Sequence, residues 1–80
     1  MHYVYPIKSI KYPVQIYFGY TTDLKARLNK HNEGGSLHTA KYKPWKLVMF
    51  LAFSNKTKAM EFEKYLKSHS GRAFSKKRFW

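Results

Sequence analysis

Five side chains in this 80-residue sequence could together perform one kind of chemistry: Tyr5, Tyr17, Arg27, His31 and Glu63. Hydrolysing a phosphodiester needs an activated water, stabilisation of negative charge on phosphorus, and help for the leaving oxygen. A base of tuned pKa takes the proton from water. A guanidinium grips phosphate in a bidentate fork, and a carboxylate can hold a largely hydrated Mg²⁺. Taken singly, each residue has a plainer reading. Tyrosines in strands commonly cover a sheet, and a lone Glu on a basic helix commonly pairs with a lysine. Spacing argues further. Arg27 and His31 stand one helical turn apart and share a face with Leu24 and Leu28, where an unpaired charge is costly. A phosphate site opening beside that face resolves the conflict. Glu63 borders an apolar stripe of Ala59, Phe62 and Leu66, whereas Glu61 points largely away.

The elements that must position these groups can be read from pattern. Residues 2–7 and 14–20, rich in β-branched and aromatic side chains, read as two strands joined in a hairpin. Tyr3, Tyr5 and Ile7 share one face of the first. In the second, Val14, Ile16 and Phe18 share a face, with Tyr17 and Gly19 on the other. Pro6 cannot donate to a ladder, which predicts that the first strand is an edge or ends early. Residues 23–32 read as a helix capped by Thr21 or Thr22, with Asp23 suited to its positive end, and stopped by Asn32-Glu33-Gly34-Gly35. A polar, basic loop over residues 34–44 follows. The apolar run 47–53 predicts a central strand over 46–53, buried on both faces. Ser54 or Asn55 caps a second helix over 56–69. The tail 70–80 begins with a turn at Gly71 and forms a last short helix; its final Phe79-Trp80 could pack back, pair with a partner or stack on bases.

Length and composition set limits. Eighty residues make one domain, 1–80, with a thin core in which 7 Tyr, 6 Phe and 2 Trp must carry weight. With no Cys there is neither a disulfide framework nor a thiolate zinc site, and the 4 His lack helical metal spacing. This fits a reducing cytoplasm. No apolar run is long enough for a membrane span, and no signal peptide is recognisable at the N-terminus. Lys and Arg number 16 against 4 Asp and Glu, a net charge of +12, which points to nucleic acid before a merely solubilising surface or an acidic membrane.

The order of motifs is distinctive. Tyr3-Val4-Tyr5 is followed by Tyr17-Phe18-Gly19, Thr22-Asp23-Leu24, Arg27, His31, and then Ala59-x-x-x-Glu63-x-x-Leu66-Lys67. From about residue 3 to 78 this resembles the GIY-YIG nuclease family, in particular small standalone members similar to the N-terminal domain of the excinuclease C subunit. The resemblance implies an α+β fold, a three-stranded antiparallel sheet flanked by two main helices and a short C-terminal one. It also implies a metal-dependent DNA endonuclease, directed by DNA structure rather than sequence, in repair or recombination. By the same resemblance Tyr5 and Tyr17 bind the attacking water or the phosphate, one of them as general base. Tyr5 with His31 as proton partner is one assignment and Tyr17 as base the other. Arg27 clamps the phosphate, and Glu63 holds a weakly bound Mg²⁺ or Mn²⁺ that arrives with substrate. Tyr3 stands at the name-giving glycine, and the tail lacks the asparagine many members place there. Lys41, Lys43, Lys46, Lys67, Arg72, Lys76, Lys77 and Arg78 are the candidate DNA contacts; RNA remains an alternative ligand. A monomer or weak dimer is expected, with a protein partner for targeting. The competing readings are a non-catalytic nucleic-acid-binding module and a partner-dependent accessory subunit.

Overall fold

In the computed structural model, which describes residues 1–79, strand β1 (His2–Ser9) runs down the middle of an antiparallel sheet. On one side it pairs with β2 (Ile16–Thr21), matching Tyr5 with Gly19 and Ile7 with Tyr17. On the other it pairs with two short strands lying end to end, β3 (Trp45–Leu47) and β4 (Leu51–Phe53). The strands are completed by α1 (Leu24–Asn32), α2 (Leu37–Ala40), α3 (Lys56–Leu66) and α4 (His69–Arg78), giving an α+β fold.

Two expectations about the sheet are corrected. β1 is central despite Pro6, and the apolar run 47–53 forms the outer lane. The ladder explains how a proline is tolerated there. Ser9 N donates to Gln15 O at 3.0 Å, so odd-numbered residues of β1 bond toward β2 and even-numbered ones turn to the outer lane. Pro6 therefore turns to the outer lane, where its carbonyl accepts from Val48 N at 3.1 Å. Its missing N–H falls where that lane is interrupted. Val4 pairs with Leu51 and Ile7 with Leu47, so Tyr5 and Pro6 face Val48, Met49 and Phe50. The resulting bulge splits the lane into β3 and β4 and removes the need for a proline donor. Phe50 is left exposed on it.

Both sheet faces are covered. On the front face Tyr5, Ile7 and Trp45 are buried with Tyr17, Leu24, Leu28, Tyr42 and Leu47, beneath α1 and the segment after it. On the back face Val4 and Phe18 meet Ala59 and Leu66 of α3, with Phe62, Phe74 and Phe79 around them. Phe79 thus packs back on the domain, edge to face with Phe74 at 5.7 Å, whereas Trp80 lies outside the described residues.

Helix ends follow local chemistry, with three adjustments. Asp23, not a threonine, caps α1 by accepting from Ala26 N, and Thr21 instead braces Asp23. The loop 34–44 contains a helical turn, α2, held by Trp45 Nε1 donating to Thr39 O at 2.8 Å. The predicted second helix ends at Leu66 and the tail helix starts at His69, because Ser68 caps α4 by accepting from Gly71 N and donating to Tyr65 O. Gly71 is therefore not the turn. It is buried where α4 crosses the end of α3, and a Cβ there would lie 1.8 Å from Tyr65 O. Asn55 caps α3, as one of the two expected candidates.

Candidate active site

β1 and β2 carry Tyr5 and Tyr17 on the front face, and α1 brings His31 down onto both rings, 5.9 Å and 5.3 Å between centroids. Gly19, the cross-strand partner of Tyr5, makes this possible. A Cβ at Gly19 would sit 2.3 Å from the Tyr5 hydroxyl, so only glycine lets that phenol lie across β2.

A buried hydrogen-bond chain runs from the phenol into the protein. Tyr5 Oη is 2.8 Å from His31 Nε2, and His31 Nδ1 is 2.8 Å from Thr39 Oγ1. Thr39 in turn donates its hydroxyl proton to Ser36 O at 3.4 Å. Tyr5, His31 and Thr39 are each about 1 % exposed. With the Thr39 proton committed to Ser36, its oxygen accepts from His31 Nδ1–H. Nε2 is then bare and accepts from the Tyr5 hydroxyl. This assignment of protons follows from donor and acceptor counting along the chain.

Charge surrounds this chain. Burial pushes the Tyr5 phenol well above its ordinary value, opposed by the charge of Arg27 and its hydrogen bond, and assisted by Tyr17 and Glu63. Burial likewise lowers His31 below the usual histidine range, and the cations Arg27 and Lys30 lower it further. Near neutrality Tyr5 is therefore protonated and His31 neutral: a donor aimed at a vacant acceptor. A phenol of low pKa is not what the fold supplies. Instead it supplies an acceptor for the phenol's proton.

Glu63 comes to this region from α3. Its side chain is 18 % exposed against 65 % for Glu61, as the stripe predicted, and its carboxylate pairs with Lys67 Nζ at 2.7 Å. That ammonium also stands 5.6 Å from the centre of the Tyr17 ring. Among the described residues no cluster of three or more His, Asp or Glu could form a closed metal cage. The donor set suits a hard, mostly hydrated cation on one carboxylate, such as Mg²⁺ or Mn²⁺, and Lys67 occupies that carboxylate here.

The basic candidates divide into separate groups. Lys67 belongs with Glu63 and Tyr17. Lys41 lies 6.0 Å from the Tyr42 ring centre, and Lys43 reaches toward Gly34 at the end of α1. Lys46 leaves them, since β3 turns it to the back face opposite Lys8. Arg72 donates through Nε to Lys67 O at 3.4 Å, and with Lys76 it lines a groove on the back face. Lys77 and Arg78 are exposed in the last turn of α4, where cations favour the helix dipole. Ser75 in the same helix spends its hydroxyl on Arg72 O at 3.0 Å.

Sequence reasoning missed Thr39. In a basic loop nothing distinguishes a buried threonine, and only the fold shows that it orients His31. It also missed Asn32, whose amide bonds both the N–H and the carbonyl of Trp45 and so anchors the segment carrying Thr39.

A mixed sheet-and-helix fold with two strand tyrosines, a helical Arg/His pair and a later glutamate defines a GIY-YIG catalytic domain. The chain matches that domain over residues 1–78 and belongs to the family. Among its relatives, a UPF0213 protein of Streptococcus agalactiae serotype V is 44 % identical over 59 residues, covering 72 % of this chain and 67 % of that protein. A protein of Giardia intestinalis titled structure-specific endonuclease subunit SLX1 homolog is 37 % identical over 60 residues, covering 70 % of this chain but 17 % of the relative's length. The solution NMR structure of a UPF0213 protein from Bacillus halodurans superposes with a TM-score of 0.56 at 37 % identity, over 94 % of this chain and 79 % of that one. Among the described residues no helix is long and apolar enough to cross a membrane.

Proposed function

We propose that this protein is a divalent-metal-dependent endonuclease that hydrolyses phosphodiester bonds in DNA, one strand per visit, and recognises DNA structure rather than sequence. The observation that carries this reading is the buried chain from Tyr5 through His31 to Thr39 beside Arg27, Tyr17 and Glu63. In this mechanism the Tyr5 oxygen takes a proton from the attacking water while its own proton moves to His31 Nε2. The products of that step are hydroxide, neutral phenol and imidazolium, so protons and charge balance. Arg27 and Lys30 disfavour the imidazolium until an anionic phosphate enters to offset them. Arg27 holds that phosphate, and Tyr17 orients water or phosphate. Glu63, released from Lys67, would hold the metal, which supplies stabilisation of the leaving oxygen. A net charge of +12 supports a nucleic-acid substrate, and the titles of the Giardia relative and of a second one from Talaromyces marneffei, both structure-specific endonuclease subunits, support recognition of structure.

Both of those relatives are titled subunits, and this chain matches only 17 % of each. That favours, as a second reading, a catalytic unit whose targeting comes from a partner.

The test compares nicking of supercoiled and branched DNA with Mg²⁺ or Mn²⁺ by wild type, Glu63→Gln and Glu61→Gln at matched salt. Cutting that persists in Glu61→Gln and disappears in Glu63→Gln, with DNA binding intact in both, supports the nuclease. Salt-sensitive binding without metal-dependent cutting by the wild type, alone or with cell extract, would leave only a binding module.

A further inference from the structure

At the Ser9 end of β1 the front face carries two tyrosines that the reaction does not use. Each follows a lysine, in Lys11-Tyr12-Pro13 of the β1–β2 connection and in Lys41-Tyr42-Lys43-Pro44 before β3. The two rings meet edge to face, with centroids 5.6 Å apart. Tyr42 packs on the front cluster and meets Trp45 edge to face at 6.5 Å. Trp45 Nε1 in turn holds Thr39, the residue that orients His31. Exposure rises along this series: Trp45 is buried, Tyr42 half-buried, and Tyr12 50 % exposed. In an edge-to-face pair a ring offers its partner one face at most, so Tyr42 leaves at least one face of Tyr12 uncovered. A single exposed ring ordinarily calls for no explanation, but this one is held in place. The buried Ser9 hydroxyl accepts from Tyr12 N at 3.0 Å and donates to Tyr42 O at 2.6 Å. Gln15 N donates to Tyr12 O at 2.8 Å, and Ile10 N to Pro44 O at 3.0 Å. One hydroxyl thus ties both tyrosine backbones together, and the hairpin connection is docked on the segment that carries Tyr42. Such preorganisation lowers the ordering cost for a ligand that meets the ring. Cations stand beside it. Lys41 Nζ lies 6.0 Å from the centre of the Tyr42 ring, and Lys11 is exposed next to Tyr12 in the chain.

We infer that Tyr12, backed by Tyr42, is a stacking platform for an unpaired base a few nucleotides from the phosphate being cut. The inference rests on the nuclease reading and names its substrate class: DNA with single-stranded character beside the cut, such as a flap. The occupant follows from ring and charge together. An aromatic face accepts any base, but only one that has left the duplex stack, and lysines beside it take the flanking phosphates. Position agrees. Ser9 stands four residues from Tyr5 on β1, a span of about 13 Å, or about four stacked base steps. Both ends of that span lie on the front face, so one strand reaches from the phosphate site to the platform. A fully paired duplex has no base to offer Tyr12 and gains nothing from it.

The test is fluorescence anisotropy of the full chain, in EDTA so that nothing is cut, with a fully paired duplex and with a duplex of the same length bearing a single-stranded flap. Wild type is compared with Tyr12→Ala, Tyr12→Leu and Tyr12→Trp across a salt series. The expected result is flap binding weaker by about 5- to 100-fold in Tyr12→Ala and Tyr12→Leu, the loss of one stacked base. Tyr12→Trp keeps an aromatic face and stays within about three-fold of wild type. Paired-duplex affinity stays within about two-fold in every variant, and the salt slope of flap binding is unchanged because no cation has been removed. A 2-aminopurine within about four nucleotides of the branch reports stacking in wild type and Tyr12→Trp and not in Tyr12→Ala. Melting temperatures, with Tyr12→Leu retaining apolar bulk, separate lost binding from lost folding. Equal losses on both substrates, or unchanged flap binding in Tyr12→Ala, would overturn the inference. So would a loss confined to self-association in sedimentation, which would give the ring to a second copy of the chain. Nicking of the flap with Mg²⁺ is read in parallel. A selective flap defect in a protein that nowhere cuts DNA would uphold the platform and reject the nuclease, whereas retained cutting with unchanged flap affinity in Tyr12→Ala would do the reverse.

Discussion

The two faces of one sheet solve opposite problems with adjacent residues. On the back, Val4 and Phe18 meet Ala59 and Leu66 in an apolar cluster whose only task is to exclude water. On the front, Tyr5 is buried as deeply as Val4, yet its hydroxyl, the His31 ring and the Thr39 hydroxyl must each find a partner. They do: among the described residues no buried side-chain nitrogen or oxygen lacks a hydrogen bond. Val4 and Tyr5 are neighbours in sequence, and strand alternation alone sends one to the apolar back cluster and the other to the front hydrogen-bond chain. The back face can therefore be damaged without touching the reaction, and the front face can lose its reaction while the fold survives.

The sharpest way to break this comparison is on the back. Leu66→Ala removes a fully buried side chain from the apolar cluster and should cost about 2–5 kcal/mol, a large share of a small domain's stability. Thermal melting measures it, and nicking per folded molecule below the transition should be unchanged. Gly71→Ala belongs beside it. Its Cβ would meet backbone rather than a mobile side chain, so α4 must shift off α3 and melting should fall by a comparable amount.

Smaller effects should appear on the front. Thr39→Val keeps the shape and removes the partner of His31 Nδ1. It should lower the nicking rate about ten-fold by losing ring orientation and cost roughly 1–3 kcal/mol for the unpaired nitrogen. Single-turnover kinetics and melting separate the two. Nitrogen chemical shifts of His31 should report a neutral ring protonated at Nδ1, and in Thr39→Val that preference should weaken. The mildest effect is on pH. His31 lies below its ordinary value of about 6.5 in the folded protein, so unfolding takes up a proton as the solution is acidified. The His31 contribution is fully present above about pH 6.5 and is lost as pH falls below it toward the folded value. His31→Gln should flatten that part of the stability profile.

Much of this contrast was legible in the residues. The ordered series from Tyr5 to Glu63, the hairpin, the opposite facing of Tyr17 and Phe18, and the stripe Ala59, Phe62, Leu66 all follow from spacing and alternation. What failed to be legible depended on contacts distant in sequence. Pro6 signals a missing donor but not where that donor would have pointed, and only the register shows it turned to a bulge. The run 47–53 looks buried on both faces because hydrophobicity carries no information about which strand lies outermost. Thr39 gains its importance from His31 and Trp45, neither of which marks it locally. Lys46 follows Lys41 and Lys43 in sequence, yet strand alternation parts it from them.

The most direct test is single-turnover nicking by Tyr5→Phe with saturating Mg²⁺, alongside its DNA affinity and melting temperature. The phenyl ring keeps the packing and removes the oxygen that links water to His31. The account predicts a rate lower by about 10²–10⁴, with DNA affinity within two-fold of wild type and the protein still folded. A Tyr5→Phe protein that nicks at the wild-type rate would contradict it, because the buried chain from Tyr5 to Thr39 would then be packing and nothing more.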